Sequence, residues 1–76
     1  TFYPNPAKNQ VTISGVSNGI TDLILLDSLG KQLKKITFDI NGDFKKNLDL
    51  SYLKDGVYML KVITNSEEIL KKVVKI

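Results

Sequence analysis

A chain of 76 residues without cysteine has to fold as one small domain around a modest apolar core, with no disulfide to supplement it. Its hydrophobic share of 42% and charged share of 25% are those of a folded domain, and no apolar run approaches the roughly 18 residues of a membrane span. Cysteine and histidine are both absent, which excludes transition-metal centres and Cys/His or Ser/His nucleophilic chemistry. The net charge of +3 could suggest an anionic partner, but every cation is a lysine, most are interleaved with acids, and arginine is missing. Nucleic-acid binding is therefore disfavoured.

The chain opens on Tyr3-Pro4-Asn5-Pro6, where two prolines remove backbone donors and hold Tyr3 and Asn5 extended. Residues 1–8 are predicted as an extended lead-in or edge segment. No basic n-region and apolar h-region precede it, so the chain reads as a soluble piece of a longer protein. Residues 9–76 then alternate short β-branched and aliphatic runs with the turn dipeptides Asn18-Gly19, Asn41-Gly42 and Asp55-Gly56 and the weaker breaks Leu29-Gly30 and Asn65-Ser66. Asn-Gly and Asp-Gly readily supply the positive φ of hairpin turns. Strands are expected over residues 10–14, 21–27, 32–39, 44–50, 56–64 and 68–76.

Several stretches along this path invite chemical readings. Gly15-Val16-Ser17-Asn18-Gly19 matches the G-x-S-x-G elbow of hydrolases, but that elbow needs a following helix and a histidine, so Ser17 is read as a turn residue. Asp22 and Asp27 could pair as acids, yet on so small a domain they are better read as strand-end charges. Leu33 breaks the parity of Ile36, Phe38 and Ile40, which a bulge or a strand switch near Lys34-Lys35 would reconcile. Asp39-Ile40-Asn41-Gly42-Asp43 has the oxygens of a calcium loop but the wrong glycine position, and a leucine stands at the twelfth place; a hairpin turn accounts for it.

Phe44, Leu48 and Leu50 share one parity and Tyr58, Leu60 and Val62 another, which marks both sets as core. Leu53-Lys54-Asp55-Gly56-Val57-Tyr58-Met59-Leu60 resembles the approach to strand F of immunoglobulin domains, where a tyrosine hydroxyl ties back to upstream backbone. Leu60 stands where those domains carry a cysteine. The fold expected is an all-β, immunoglobulin-like antiparallel β-sandwich of six to seven strands, a single domain over residues 1–76 that is not an enzyme and needs no cofactor.

Taken together, Tyr3-Pro4-Asn5-Pro6-Ala7, then Leu50-Ser51-Tyr52-Leu53-Lys54-Asp55-Gly56-Val57-Tyr58, then Lys71-Lys72-Val73-Val74-Lys75 near the end resemble the type A C-terminal sorting domain of the Bacteroidetes type IX secretion system. The resemblance covers nearly the whole chain. It implies an address carried at the C-terminus of a larger secreted cargo, recognised as a folded domain in the periplasm and exported across the outer membrane. It further implies a sortase-like surface peptidase that removes the domain upstream of Tyr3 and can attach the cargo to anionic lipopolysaccharide. The residues it marks are Tyr3, Pro4, Asn5, Pro6, Gly30, Leu53, Gly56, Tyr58, Lys71, Lys72 and Lys75. Gly56 is expected in a turn, Leu53 as an end plug, and the terminal lysines on an exposed basic edge that either recognises the machinery or guards against aggregation. Asp27-Ser28-Leu29 also resembles the short Bacteroidetes O-glycosylation acceptor, though a turn serine before Gly30 explains it as well.

The alternative is a non-catalytic immunoglobulin-like module that binds carbohydrate or protein. It would need an aromatic platform, and Tyr52 is the one aromatic suspected of standing exposed at a loop. A small basic nucleic-acid-binding barrel would need aromatics interleaved with lysines on one face, a pattern not seen here.

Overall fold

Four of the expected strands fuse into two. In the computed structural model, which describes residues 2, 3 and 8–76, the chain forms β1 (Phe2–Tyr3), β2 (Gln10–Leu26), β3 (Gln32–Asp49), β4 (Gly56–Ile63) and β5 (Glu68–Lys75). All pairings are antiparallel within one sheet. β3 runs along one side of β2 for its whole length. The other side of β2 carries β1 near its start, at Thr12 and Ile13, and β4 near its end, from Asp22 to Leu26, with β5 beyond β4.

Neither Asn18-Gly19 nor Asn41-Gly42 reverses the chain. The two dipeptides face one another inside the β2–β3 ladder, Asn18 opposite Asn41 and Ser17 opposite Gly42. A two-residue type I′ hairpin needs positive φ at both central residues. Here only the glycines have it, at 101° for Gly19 and 121° for Gly42, and no described non-glycine residue does. The outcome is a bend rather than a turn.

The bend is sharp. Ser17 and Thr21, four residues apart on one strand, would be about 13 Å apart if the strand were straight, yet their hydroxyls are hydrogen-bonded at 2.7 Å. On β3 the rings of Phe38 and Phe44 lie 5.2 Å apart, where six extended residues would span about 20 Å, and the Lys46 ammonium sits 4.7 Å from the Phe38 centroid. A straight β2 would run about 55 Å, far beyond the 34 Å longest dimension of the domain.

Folding the long hairpin double brings its inner face together with itself. Val11 and Ile13 from the start of β2 join Leu23 and Leu25 from its end, with Leu48, Leu50, Leu60, Val62 and Val73, in one buried cluster. Each such side chain contributes about 1.5 to 3 kcal/mol when fully removed from water. Leu48, Leu50, Leu60 and Val62 occupy the core as their parity predicts, while Phe44 and Tyr58 are half-buried and pack against it. The parity break at Leu33 is a bulge: Leu25 faces Lys34 and Leu26 faces Gln32, so Leu33 is left between them and turns onto the core.

The all-β reading therefore holds, and the six-to-seven-strand immunoglobulin-like sandwich does not. The described residues form one continuous five-stranded sheet. Asn-Gly makes a two-residue type I′ reversal only when the asparagine also adopts positive φ, and within the cross-strand pairing here neither asparagine does. Two smaller expectations change with it. Ser17 is not a turn residue but a buried strand residue bonded to Thr21, and Asp22 is not a strand end but lies within β2, accepting from the Thr37 hydroxyl at 2.6 Å.

Candidate functional site

Away from the bend, the ends of the long hairpin and the β4–β5 hairpin meet at one pole, and of the marked residues Gly30, Leu53, Gly56, Tyr58 and Lys75 gather around it. The first piece is the β2–β3 reversal over residues 27–31. The Asp27 carboxylate accepts the backbone N–H of Leu29 at 2.9 Å and of Lys31 at 2.8 Å, while the Gly30 N–H bonds to the Asp27 carbonyl. Gly30 has a φ of 86°, which an L side chain rarely adopts. Ser28 and Leu29 are exposed, Leu29 at 92%.

The second piece is the stretch from Leu50 to Tyr58. Leu50 is fully buried, its N–H bonded to the Asn9 carbonyl at 2.7 Å, and Leu53 closes a β-turn by donating its N–H to the Leu50 carbonyl at 3.0 Å. Both leucines meet the core, as expected of an end plug. Between them Tyr52 is 58% exposed, the loop position expected of it. The Tyr58 hydroxyl donates to the Lys54 carbonyl at 2.7 Å, the tie expected from its position ahead of Leu60. Gly56 opens β4 opposite Lys75 rather than lying within a turn, and it has a positive φ of 158° that L side chains rarely adopt, with nothing within 4 Å of where a Cβ would sit.

The Ser51 hydroxyl and backbone N–H both bond to Asp49, and with Lys34 nearby they hold its carboxyl below the usual aspartate value despite a smaller opposing effect of desolvation. Lys34 and Asp49 come from opposite ends of β3.

The terminal lysines divide. Lys71 and Lys72 are exposed on β5, which among the described strands pairs with β4 alone. Lys75 is 8% exposed, contrary to the expected basic edge, with its ammonium 3.7 Å from Asp55 and 3.4 Å from the Ile76 carbonyl. Its position explains this: Ile69, Lys71, Val73 and Lys75 share the inward parity of β5, and by Lys75 the core has closed over the strand. Lys75, Asp55 and Gly56 thus join the end of the chain to the start of β4.

Tyr3 lies on β1 opposite Thr12. Pro4, Asn5 and Pro6 fall outside the described residues. Sequence reasoning missed Asp27, Asp49 and Asp55 as the acids that organise this pole. For the first two the signal was present, because an Asp two residues ahead of a turn N–H is the usual Asx arrangement. The partnership of Lys75 with Asp55 is set by strand pairing and had no local signal.

The pole is built from tied turns, and no group of three or more acids placed to hold a metal ion occurs among the described residues. The sequence model of the secretion system C-terminal sorting domain matches residues 1–76, and the chain belongs to that family, the sorting signals of type IX secretion. This is a sorting-signal family and not a catalytic one. Comparison with curated proteins and with solved structures returned no match. No helix among the described residues is long and apolar enough to cross a membrane.

Proposed function

We propose that this domain is read by the type IX machinery as a folded object through its motif pole, and that it carries an N-terminal cargo in the same chain through the periplasm to the cell surface. The convergence on one pole of three separate parts of the sequence, Gly30, the stretch Leu53 to Tyr58, and Lys75, is the observation that carries this reading. Gly30, Leu53, Gly56, Tyr58 and Lys75 build the pole, while Lys71 and Lys72 present charge on the β5 edge. Edge backbone groups and basic side chains suit a partner that adds a strand and is steered by acidic charge. Tyr3, Pro4, Asn5 and Pro6 mark the entry from the cargo, and a sortase-like peptidase cuts upstream of Tyr3 once the cargo is outside.

The test is to place residues 1–76 behind a periplasmically targeted reporter in a host with a type IX system. Appearance of the reporter outside the cell is the expected result. Retention in the periplasm, beside a control sorting domain that exports, overturns the reading.

A further inference from the structure

One side of β2 is only partly covered. β1 pairs it at Thr12 and Ile13 and β4 at Asp22 to Leu26, and no described strand pairs it on that side from Gly15 to Thr21. Beside this open stretch lies a cavity of about 560 Å³, walled by Ile13 and Gly15 of β2, Phe44 of β3, and Val62, Ile69 and Lys71 of the β4–β5 hairpin. Gly15 leaves the cavity floor to the Phe44 ring, which a Cβ there would meet at 3.2 Å. Next to Gly15, on the outer face, Val16 stands 70% exposed. An open strand edge above an apolar hollow lacks a strand.

The register of β1 names the occupant. Phe2 faces Ile13 and Tyr3 faces Thr12, so each step back along β1 is a step forward along β2. We infer that the cargo-side residues immediately ahead of Thr1 extend β1 along Gly15, Val16 and Ser17. They insert side chains into the hollow between β2 and the β4–β5 hairpin. Ile13, Gly15 and Ser17 share the inward parity of β2, so the residues facing Gly15 and Ser17 point into the cavity and the one facing Val16 lies outside against it. The walls select an apolar side chain at the position facing Gly15, with Glu67 and Lys71 among the residues at the cavity.

This inference rests on the reading that a cargo precedes Thr1, and it adds a consequence. The junction at which the domain would be released sits in an edge strand, shielded while docked and open to a peptidase only when it frays, because proteolysis needs an extended and accessible backbone.

The test uses the full-length protein, purified with its cargo, and amide hydrogen exchange read by mass spectrometry. The native protein is compared with one whose few residues ahead of Thr1 are replaced by alternating glycine and proline, which cannot pair along an edge. Exchange at residues 15–17 about tenfold faster in the replaced protein, with β4 and β5 unchanged, is the expected result. Equal rates overturn the proposal, as does protection that disappears on dilution, which would assign the edge to a second copy. If the replaced protein does not fold, a single proline facing Val16 serves in its place. The readout involves no secretion machinery, so failure of export and failure of docking are told apart.

Discussion

The two ends of the domain are built by different means. At the bend the backbone does the work: two glycines with positive φ lie diagonally across the ladder, Gly19 opposite Ile40 and Gly42 opposite Ser17, and the side chains around them are small or merely adapt, as Ser17, Thr21 and the tilted Phe38 and Phe44 rings do. At the motif pole, side chains do it: Leu50 and Leu53 plug the end, Asp27 and Asp49 cap turns, Tyr58 ties back to Lys54, and Lys75 reaches Asp55. Gly30, Leu53, Gly56, Tyr58 and Lys75, marked by the sequence resemblance, fall on the second kind of end. A glycine bend asks little of its neighbours, whereas a pole made of tied turns needs particular residues at particular spacings.

That contrast can be broken most forcefully at the pole. Leu50→Ala removes a fully buried side chain and is expected to cost about 2 to 5 kcal/mol, lowering the melting temperature by roughly 10 °C or more in a domain this small. Tyr58→Ala is expected near the lower end of aromatic deletions, about 3 kcal/mol, because its ring is half-buried. Tyr58→Phe, which keeps the ring and loses only the bond to Lys54, should cost about 1 kcal/mol. Equal melts for parent and both Tyr58 variants would remove that residue from the architecture of the pole.

At the bend, Gly19→Ala and Gly42→Ala are each expected to cost about 1 to 2 kcal/mol from positive φ alone, since nothing within 4 Å would obstruct a Cβ at Gly42. The same substitution at Gly15, where φ is not positive, meets only the Phe44 ring and should cost less. Denaturant unfolding of the three variants measures the order. A Gly15 variant weaker than both others would mean that crowding, not φ, governs the bend.

The lysines sharpen the comparison further. Lys71→Gln with Lys72→Gln is expected to leave stability within about 0.5 kcal/mol while reducing export of a reporter, because exposed side chains contribute little to folding. Lys75→Ala should lower the melt by roughly 1 kcal/mol through its buried stem, its 3.7 Å contact with exposed Asp55 adding little. If the double variant secretes normally, Lys71 and Lys72 serve solubility or edge protection.

The smallest effect concerns Asp49. Its carboxyl is held low in the folded state, so its contribution to stability is present above the unfolded aspartate range of about pH 4 and is lost as pH falls through the lower folded value. Asp49→Asn should flatten the acid side of the stability profile slightly and leave neutral pH nearly unchanged. An acid limb identical to the parent's would show that the Ser51 bonds are not maintained in solution.

Much of this was legible one residue at a time. Period-two parity placed Leu48, Leu50, Leu60 and Val62 in the core, the parity break at Leu33 announced the bulge, and the Tyr58 spacing foretold its tie to upstream backbone. Local chemistry suffices for these because each depends on which side of a strand a residue faces, and alternation fixes that without knowledge of the partner. The motif likewise marked the family from spacing alone.

What the tertiary structure decided was whether an Asn-Gly pair turns or bends the chain, and which lysine of the last strand is buried. Asn18-Gly19 and Asn41-Gly42 are compatible with both outcomes, and the choice falls to the cross-strand pairing, within which neither asparagine adopts positive φ. Lys75 is buried because β4 delivers Gly56 and Asp55 beside it. Both answers depend on residues brought close only by the folded hairpin, and a local reading of the chain carries no term for them.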